Sequence, residues 1–484
     1  MASYERPPIE PLRPAFATTY HAPAQLDRLK QATLDILETV GVQFQSEKAL
    51  DVLAEHGVRV DRTAQIAKFP PEIVLAAMAQ APRRFSLGAR DASCDIPVGD
   101  GNTYCTTDGS GVEIIDFATR ERRQSTKADV ADVTRMQDYL SSIAFWWPTL
   151  SAGDYGETSQ LHELDAGWNN TVKHLQGFVQ GEREARYAVE MATVIAGSAE
   201  ELRRRPVLSE LIGVNSPLVV DKDGIEAALV LAEVGVPVCW VTAPMLGTTA
   251  PATRAGAYAL GAAELVAATV ALELASPGAP VLHFAMQSWA DPRTGDVVSF
   301  PQDARARALS TELAHHWGVP AESAACGTDS SVPGTWQAGV EEAMDFVQAA
   351  QEGSDLMPSI GLVNVYTLFY PEHLILGDDI YHRARFAIMD IEVDEESLAL
   401  EAIAEVGPGG HFLGHKHTRR HMREAVKPAI THQPGPDGVF RDPLEVAREK
   451  AAWIWREYRP EPLEADKAAE LTKILAAADS ELRD

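Results

Sequence analysis

The sequence predicts an α/β protein built as a TIM (β/α)8 barrel, carrying an N-terminal helical extension and a C-terminal helical tail. Three observations lead there. From about residue 126, short apolar segments alternate with long Ala/Leu/Glu-rich stretches, the rhythm of βαβ units feeding a parallel sheet. Seven such strands can be marked, and an eighth drawn from 102–107 or from the C-terminal region would close the ring. No Gly-rich nucleotide fingerprint follows an early strand, and an open doubly wound sheet is the alternative architecture.

Taken in order, residues 1–22 are proline-rich and extended. Leu26, Leu29, Leu34, Leu37 and Val40 recur at helical spacing, and Gly41 ends that helix. A second helix is expected over 46–56, and a third over 71–80 opens on the proline-led FPPEIV. Residues 85–125 alternate in short runs such as RFSLGA and TYCTTDGSG, which read as hairpins. The barrel strands are expected at 143–148, 174–180, 208–214, 236–242, 281–287, 323–328 and 357–363, with helices at 224–234, 252–275, 302–316 and 338–350 between them. A helix over 393–406 ends at GPGG (407–410), and 444–484 forms a charged helical tail across the barrel exterior. The divisions are then 1–125 for the cap and hairpins, 126–430 for the barrel and 431–484 for the tail.

Composition narrows the function. A chain of 484 residues with 45% hydrophobic and 23% charged residues is globular, so disorder and a disulfide miniprotein are excluded. A formal charge of −28 repels phosphate backbones and anionic lipid, which argues against nucleic acid or a membrane as partner. The most apolar stretch, 255–286, is interrupted by Glu264, Glu273 and Pro277 and reads as a buried helix followed by a strand. The N-terminus has no apolar signal core, and the four cysteines are scattered without a CxxC pair. A reduced, cytoplasmic protein is the expectation.

Barrel enzymes work at the C-terminal ends of their strands. Trp146 and Trp147 end one expected strand, Asn215 another, Trp240 a third and Trp289 a fourth; Asp329 follows the next with Trp336 nearby, and Tyr366 and Tyr370 follow the last. Five of the nine tryptophans fall at such ends. Ring faces turned into a pocket hold quaternary ammonium groups by cation–π attraction, about 0.5–2 kcal/mol per ring. The competing reading has the same rings plugging the barrel mouth or filling the helix–strand layer. Glu264, in the apolar run GAAELVAATVALELA, must face a pocket, pair with a cation or cap a backbone group. His283, mid-strand, is either inward-facing or a satisfied core histidine; Asp108 is a further buried-polar candidate. His415, His417 and His421 in GGHFLGHKHTRRHM admit a metal-site reading, hence a metal-dependent barrel hydrolase. However, HxH needs a strand whereas the i, i+4 pair needs a helix, and Lys416, Arg419 and Arg420 place positive charge beside the ion. A basic loop and helix start, structural or docking, is the other reading.

Three motifs carry a family resemblance. VDEESLALEAIAEVGPGGHFLGHKHT (393–418), APMLGTTAPATRAGAYALGAAELVAATVALELASPGAPV (243–281) and CGTDSSVPGTWQAGVEEAM (326–344) resemble the trimethylamine methyltransferase family, over most of 25–430. The resemblance implies a TIM barrel that moves a methyl group from a methylated amine to the Co(I) of a separate corrinoid protein. Some members carry pyrrolysine in the loop equivalent to 327–337 and act on trimethylamine; this chain has ordinary residues there, Trp336 among them. It therefore resembles the non-pyrrolysine branch, whose members demethylate quaternary amines such as glycine betaine. The implied cofactor is a corrinoid (cobalamin) carried by a cognate partner protein, with no bound metal; separately, a symmetric homo-oligomer through the N-terminal helices and the C-terminal tail is expected. A quaternary nitrogen leaves as a neutral tertiary amine, so binding, desolvation and alignment suffice. FWWPTL (145–150) and NVYTLFY (364–370) are more aromatic than the family pattern and favour a bulkier ammonium compound, and His174 stands where a proline is expected. A non-catalytic binding or sensing protein that keeps the pocket is the second hypothesis.

Overall fold

Eight parallel strands close on themselves. They are β1 (Tyr104–Thr107), β2 (Phe145–Trp146), β3 (His174–Gly177), β4 (Leu208–Val214), β5 (Val238–Thr242), β6 (Val281–Ala285), β7 (321–322) and β8 (Leu356–Ile360). Neighbours pair in parallel from β2 through β6 and between β8 and β1. Among the described residues, β7 pairs through two bridges, Ala321 with His283 and Glu322 with Leu356. The ring shuts where Ala144 N donates to Cys105 O at 2.7 Å. The computed structural model describes residues 5–482 apart from 296, 299–303, 324–326 and 423–429.

Each strand is followed by a helix: α1 (Lys127–Tyr139), α2 (Ser159–Asn170), α3 (Glu182–Ala196), α4 (Lys222–Glu233), α5 (Arg254–Ala275), α6 (Ala304–Trp317), α7 (Trp336–Glu352) and α8 (Pro371–Ile388). Local chemistry sets their ends. Thr126 and Asp129 form a capping box on α1, the Asp221 carboxylate caps α4 and the Thr335 hydroxyl caps α7. α7 stops at Gly353, whose φ of +79° suits glycine.

Two apolar cores follow from the strand period of two. Leu208, Ile212, Val238, Trp240 and Val281 face the helices, whereas Tyr104, Phe145, Cys239, Leu282, Phe284 and Leu356 fill the barrel. Parallel strands buried on both faces need such continuous apolar runs. The apolar segment at 255–286 is indeed a buried helix and strand: α5 packs against the N-terminal helices Pro23–Thr39 and Pro71–Met78.

Several expectations shift. Of the two options for the closing strand, 102–107 is the one taken: Tyr104–Thr107 is the first barrel strand, and the hairpin reading of TYCTTDGSG gives way because long-range pairing with β8 overrides its turn-rich local sequence. The flanking runs are hairpins as expected, Phe85–Leu87 with Ile96–Val98 and Glu113–Ile115 with Arg122–Gln124. Pairing of the seventh strand falls at 321–322, ahead of the expected 323–328, and 324–326 lie outside the described residues. The helix expected over 393–406 is broken at Ala399, whose φ is +48°. The tail helices Pro443–Glu457 and Ala465–Leu482 pack on α8 with α1 and on α3 with α2.

Candidate active site

The inward parity of each strand runs on past its end. It brings Asp108, Trp147, Phe178, Gly213, Val241 and Met286 to the C-terminal mouth. Phe178, Leu211, Val241 and Met286 are only half-buried, and no atom lies within 4 Å of a Cβ built on Gly213. The barrel interior is therefore reachable from this end, through an apolar-walled opening. Trp147 meets Phe178 edge-on, ring centroids 5.2 Å apart at 76°. A Cβ on Gly109 would come within 3.0 Å of the Trp147 ring and 3.2 Å of Phe178, so any larger residue there would push the two rings aside.

Beneath the rings lies a polar floor. The Trp147 indole N–H donates to Gln176 Oε1, which orients the ring. The Cys239 thiol, kept neutral by burial, donates to Glu322 Oε2 at 3.1 Å. Burial pushes the Glu322 carboxyl up to about 8. The Asp108 carboxyl rises to about 8 for the same reason, reinforced by the nearby Glu342 charge. Gln176 also bonds the Glu322 carboxyl, and among the described residues Asp108 Oδ2 has no hydrogen-bond partner. Both carboxyls are thus held toward their protonated forms.

Loops roof one side. Asn364, Val365 and Tyr366 follow β8 with φ of +56°, +53° and +62°, a left-handed run that is costly for valine. Asn364 N donates to Ser330 O at 2.7 Å, tying this loop to the one after β7. Opposite, Met245–Leu246, Ser288–Ala290 and Val297–Val298 form a small ribbon above β5 and β6.

Of the residues singled out in the sequence, Trp147 and Asp108 are both inward and at the mouth. Trp289 sits half-buried on the ribbon, and Tyr366 lies in the left-handed run. Asp329 follows β7 and donates its N–H to Glu341 Oε2 at 3.0 Å. Tyr370 is the N-cap of α8 and packs beside Ile115, Val363 and Leu368. The others require correction. Trp146 and Trp240 have the opposite strand parity and face the helices; Trp146 Nε1 donates to Thr134 Oγ1 of α1 at 2.8 Å. His283 also faces outward, 2.9 Å from Thr269 Oγ1 of α5, and burial pushes its imidazole down to about 3. Glu264 caps a backbone group: it accepts from Leu218 N and Ser216 Oγ, each at 2.8 Å, and from Thr242 Oγ1. Asn215 is exposed and pairs its backbone with Val219. Trp336 is 83% exposed at the first turn of α7. Phe178, Leu211, Val241, Met286, Gln176, Cys239 and Glu322 were missed as site residues; strand parity counted from Trp147 was the signal that could have found them.

The histidine motif makes no centre. His415 caps the helix Lys416–His421 and pairs with Glu405 at 2.9 Å, and the His417 and His421 rings pack on each other. Among the described residues, no group of three or more His, Cys, Asp or Glu is arranged to hold a metal ion. His174 is a satisfied core residue, between Gly88 O and Ser209 Oγ.

Comparison with known proteins gives the family. The sequence model of the family described as trimethylamine methyltransferase matches residues 7–482. A trimethylamine methyltransferase of Desulfitobacterium hafniense is 29% identical over 463 residues, covering 94% of this chain and 93% of the relative. A glycine betaine methyltransferase of the same species is 28% identical over 471 residues, covering 95% and 96%. Among solved structures, the monomethylamine methyltransferase of Methanosarcina barkeri aligns over 96% of this chain and 92% of its own at 12% identity, with a TM-score of 0.44. With the match spanning nearly the whole chain, this protein belongs to the trimethylamine methyltransferase family and is a methyltransferase.

Proposed function

We propose that the protein removes a methyl group from a small quaternary amine of the glycine betaine type and delivers it to the corrinoid of a partner protein at the barrel mouth. The observation that carries this reading is the accessible apolar opening formed by Phe178, Leu211, Val241 and Met286 beside the Trp147 ring. Both relatives named above act on methylated amines by their names, and 327–337 holds only ordinary residues.

The residues at the rim fit a bulky acceptor. Gly213, the exposed Ala243 and Gly247 edge the opening above β4 and β5, with no atom within 4 Å of a Cβ on either glycine. With no side chain on either glycine, the rim there presents bare backbone to an approaching partner protein. When bound, the corrinoid supplies a reduced cobalt nucleophile strong enough to take a methyl group from nitrogen. Everything else falls to the chain. The Trp147 and Phe178 rings attract the N-methyl cation, and the apolar walls exclude water. Asp108 and Glu322 offer counter-charge once the cation lowers their proton affinity. As the C–N bond breaks, its electron pair stays on nitrogen, so a neutral tertiary amine leaves and no protein acid or base is needed.

The test supplies the full chain with glycine betaine, a reduced corrinoid protein and, separately, trimethylamine, and follows demethylated product by mass spectrometry. Dimethylglycine is the expected product, with trimethylamine inert. Tight betaine binding without product across a panel of corrinoid proteins would select the sensing reading instead.

A further inference from the structure

We propose that Glu341 is a positioning residue of the mouth: from inside α7 its carboxylate fastens the loop 327–335, and that loop holds Asp108 against the place where the ammonium group comes to rest. The inference rests on the reading of the site given above. It starts from a buried carboxylate that pairs with no cation. Its neighbours on the same helix have theirs, Glu342 standing 3.0 Å from His373 and Asp345 pairing with Arg307. Glu341 is only 6% exposed, and among the described residues its partners are all neutral. A carboxylate buried without a counter-ion adds little to helix packing, since an apolar residue of like size would avoid its desolvation. What it does supply is a tether.

Glu341 Oε2 accepts from the Thr328 hydroxyl at 2.6 Å and from Asp329 N at 3.0 Å, while Oε1 accepts from Gln337 Nε2 at 3.0 Å. Bonds to an ionised acceptor are about twice as strong as neutral ones. The Thr328 hydroxyl accepts in turn from Ser330 N at 3.0 Å, and the Ser330 and Thr335 hydroxyls lie 2.8 Å apart. Ser330 O carries the next loop through Asn364 N at 2.7 Å. The left-handed run 364–366 therefore hangs on the same anchor, the kind of outside restraint such a backbone needs in order to persist.

The near end of the loop meets the site. Gly327, at a φ of +39°, lies against Asp108: a Cβ there would collide with Oδ2 and come within 3.2 Å of Cγ. Leu362 N donates to the same carboxyl. Asp108 is thus set between the segment leaving β8 and a backbone without a side chain, and the loop fixes how far its carboxyl can turn. Freed from Glu341, the loop would no longer back Asp108. Water would then reach the carboxyl and screen its charge from the ammonium group.

Calorimetry on the purified full chain, with glycine betaine and with its neutral carbon analogue 3,3-dimethylbutanoate, tests this. Glu341→Ala should weaken betaine about 10-fold, the scale of one lost bond to a charged group. The analogue should change less than about twofold, since only a cation draws on the Asp108 charge. Glu341→Gln, whose amide oxygen can still accept from Thr328, should return to within about threefold of wild type. Thr328→Val cuts the same tether at its other end and should reproduce the betaine-selective loss, which keeps the proposal testable should Glu341→Ala fail to fold. In turnover with free cob(I)alamin, KM should rise and kcat hold, because a counter-charge favours the cation over a transition state from which that charge is departing. Equal weakening of both ligands overturns the proposal, as does a betaine affinity unmoved in both Glu341→Ala and Thr328→Val. So does a fall in kcat at constant KM, the signature of lost folded enzyme. A wild type that binds no betaine overturns the reading on which the inference rests, and the wild-type titration alone tells the two failures apart.

Discussion

Replacing Phe178 with leucine separates attraction for charge from simple apolar fit. Phe178 is half-buried, one edge held by Trp147 at 5.2 Å and the remainder facing the opening. Leucine keeps most of the apolar wall and removes the π-face. A ring with one side desolvated falls in the middle to upper part of the cation–π range, so about 1–2 kcal/mol of binding should vanish, roughly a 5- to 30-fold weakening. The assay is calorimetry with glycine betaine and with its neutral carbon analogue, 3,3-dimethylbutanoate. Betaine should lose the full factor whereas the analogue changes less than about twofold, since its tert-butyl group feels no quadrupole. Loss of the aromatic pair should lower stability by about 0.5–1.5 kcal/mol, read independently by denaturant melts. Equal weakening of both ligands, or of neither, would refute an aromatic cation site at the mouth.

Betaine affinity should rise with pH through about 8, because binding ionises Glu322 and Asp108, and Glu322→Gln should flatten that rise in a calorimetric pH series. The sign for folding is opposite. A carboxyl whose folded-state value is raised contributes most below its unfolded value of about 4.5 and loses this as pH climbs to about 8, so Glu322→Gln should gain relative stability on the alkaline side in urea titrations. Trp146→Phe should cost about 1 kcal/mol through the lost bond to Thr134 and leave betaine affinity unchanged, as expected of a ring in the helix–strand layer. Glu264→Ala strips the partner from Leu218 N and two hydroxyls and should destabilise by about 2–4 kcal/mol in the same titrations.

The barrel was legible because its signal is periodic and repeated: each apolar run has to lie between two apolar layers, and helices fill the gaps. β1 was legible only as one of two options for the closing strand, because its partner, β8, lies some 250 residues away and its own run is short and followed by DGSG. The site was only half legible. A tryptophan at a strand end announces size and apolarity, but whether it points at the axis or the helices depends on register, a single-residue matter. Trp147 and Trp146 are adjacent and land on opposite sides. Glu264 stood out correctly as a carboxylate in an apolar helix, yet its partners come from the 215–218 turn and Thr242, which sequence alone does not bring near. The segment 393–406 was expected as one helix; Ala399 divides it, and no local rule demands a left-handed alanine there.

The bare backbone at Gly109 has a consequence for tuning the mouth. It sets the gap into which Trp147 and Phe178 settle, 3.0 and 3.2 Å from where a Cβ would sit. An alanine there would act as a wedge that tilts both rings at once, so ligand preference would change at a position no ligand touches.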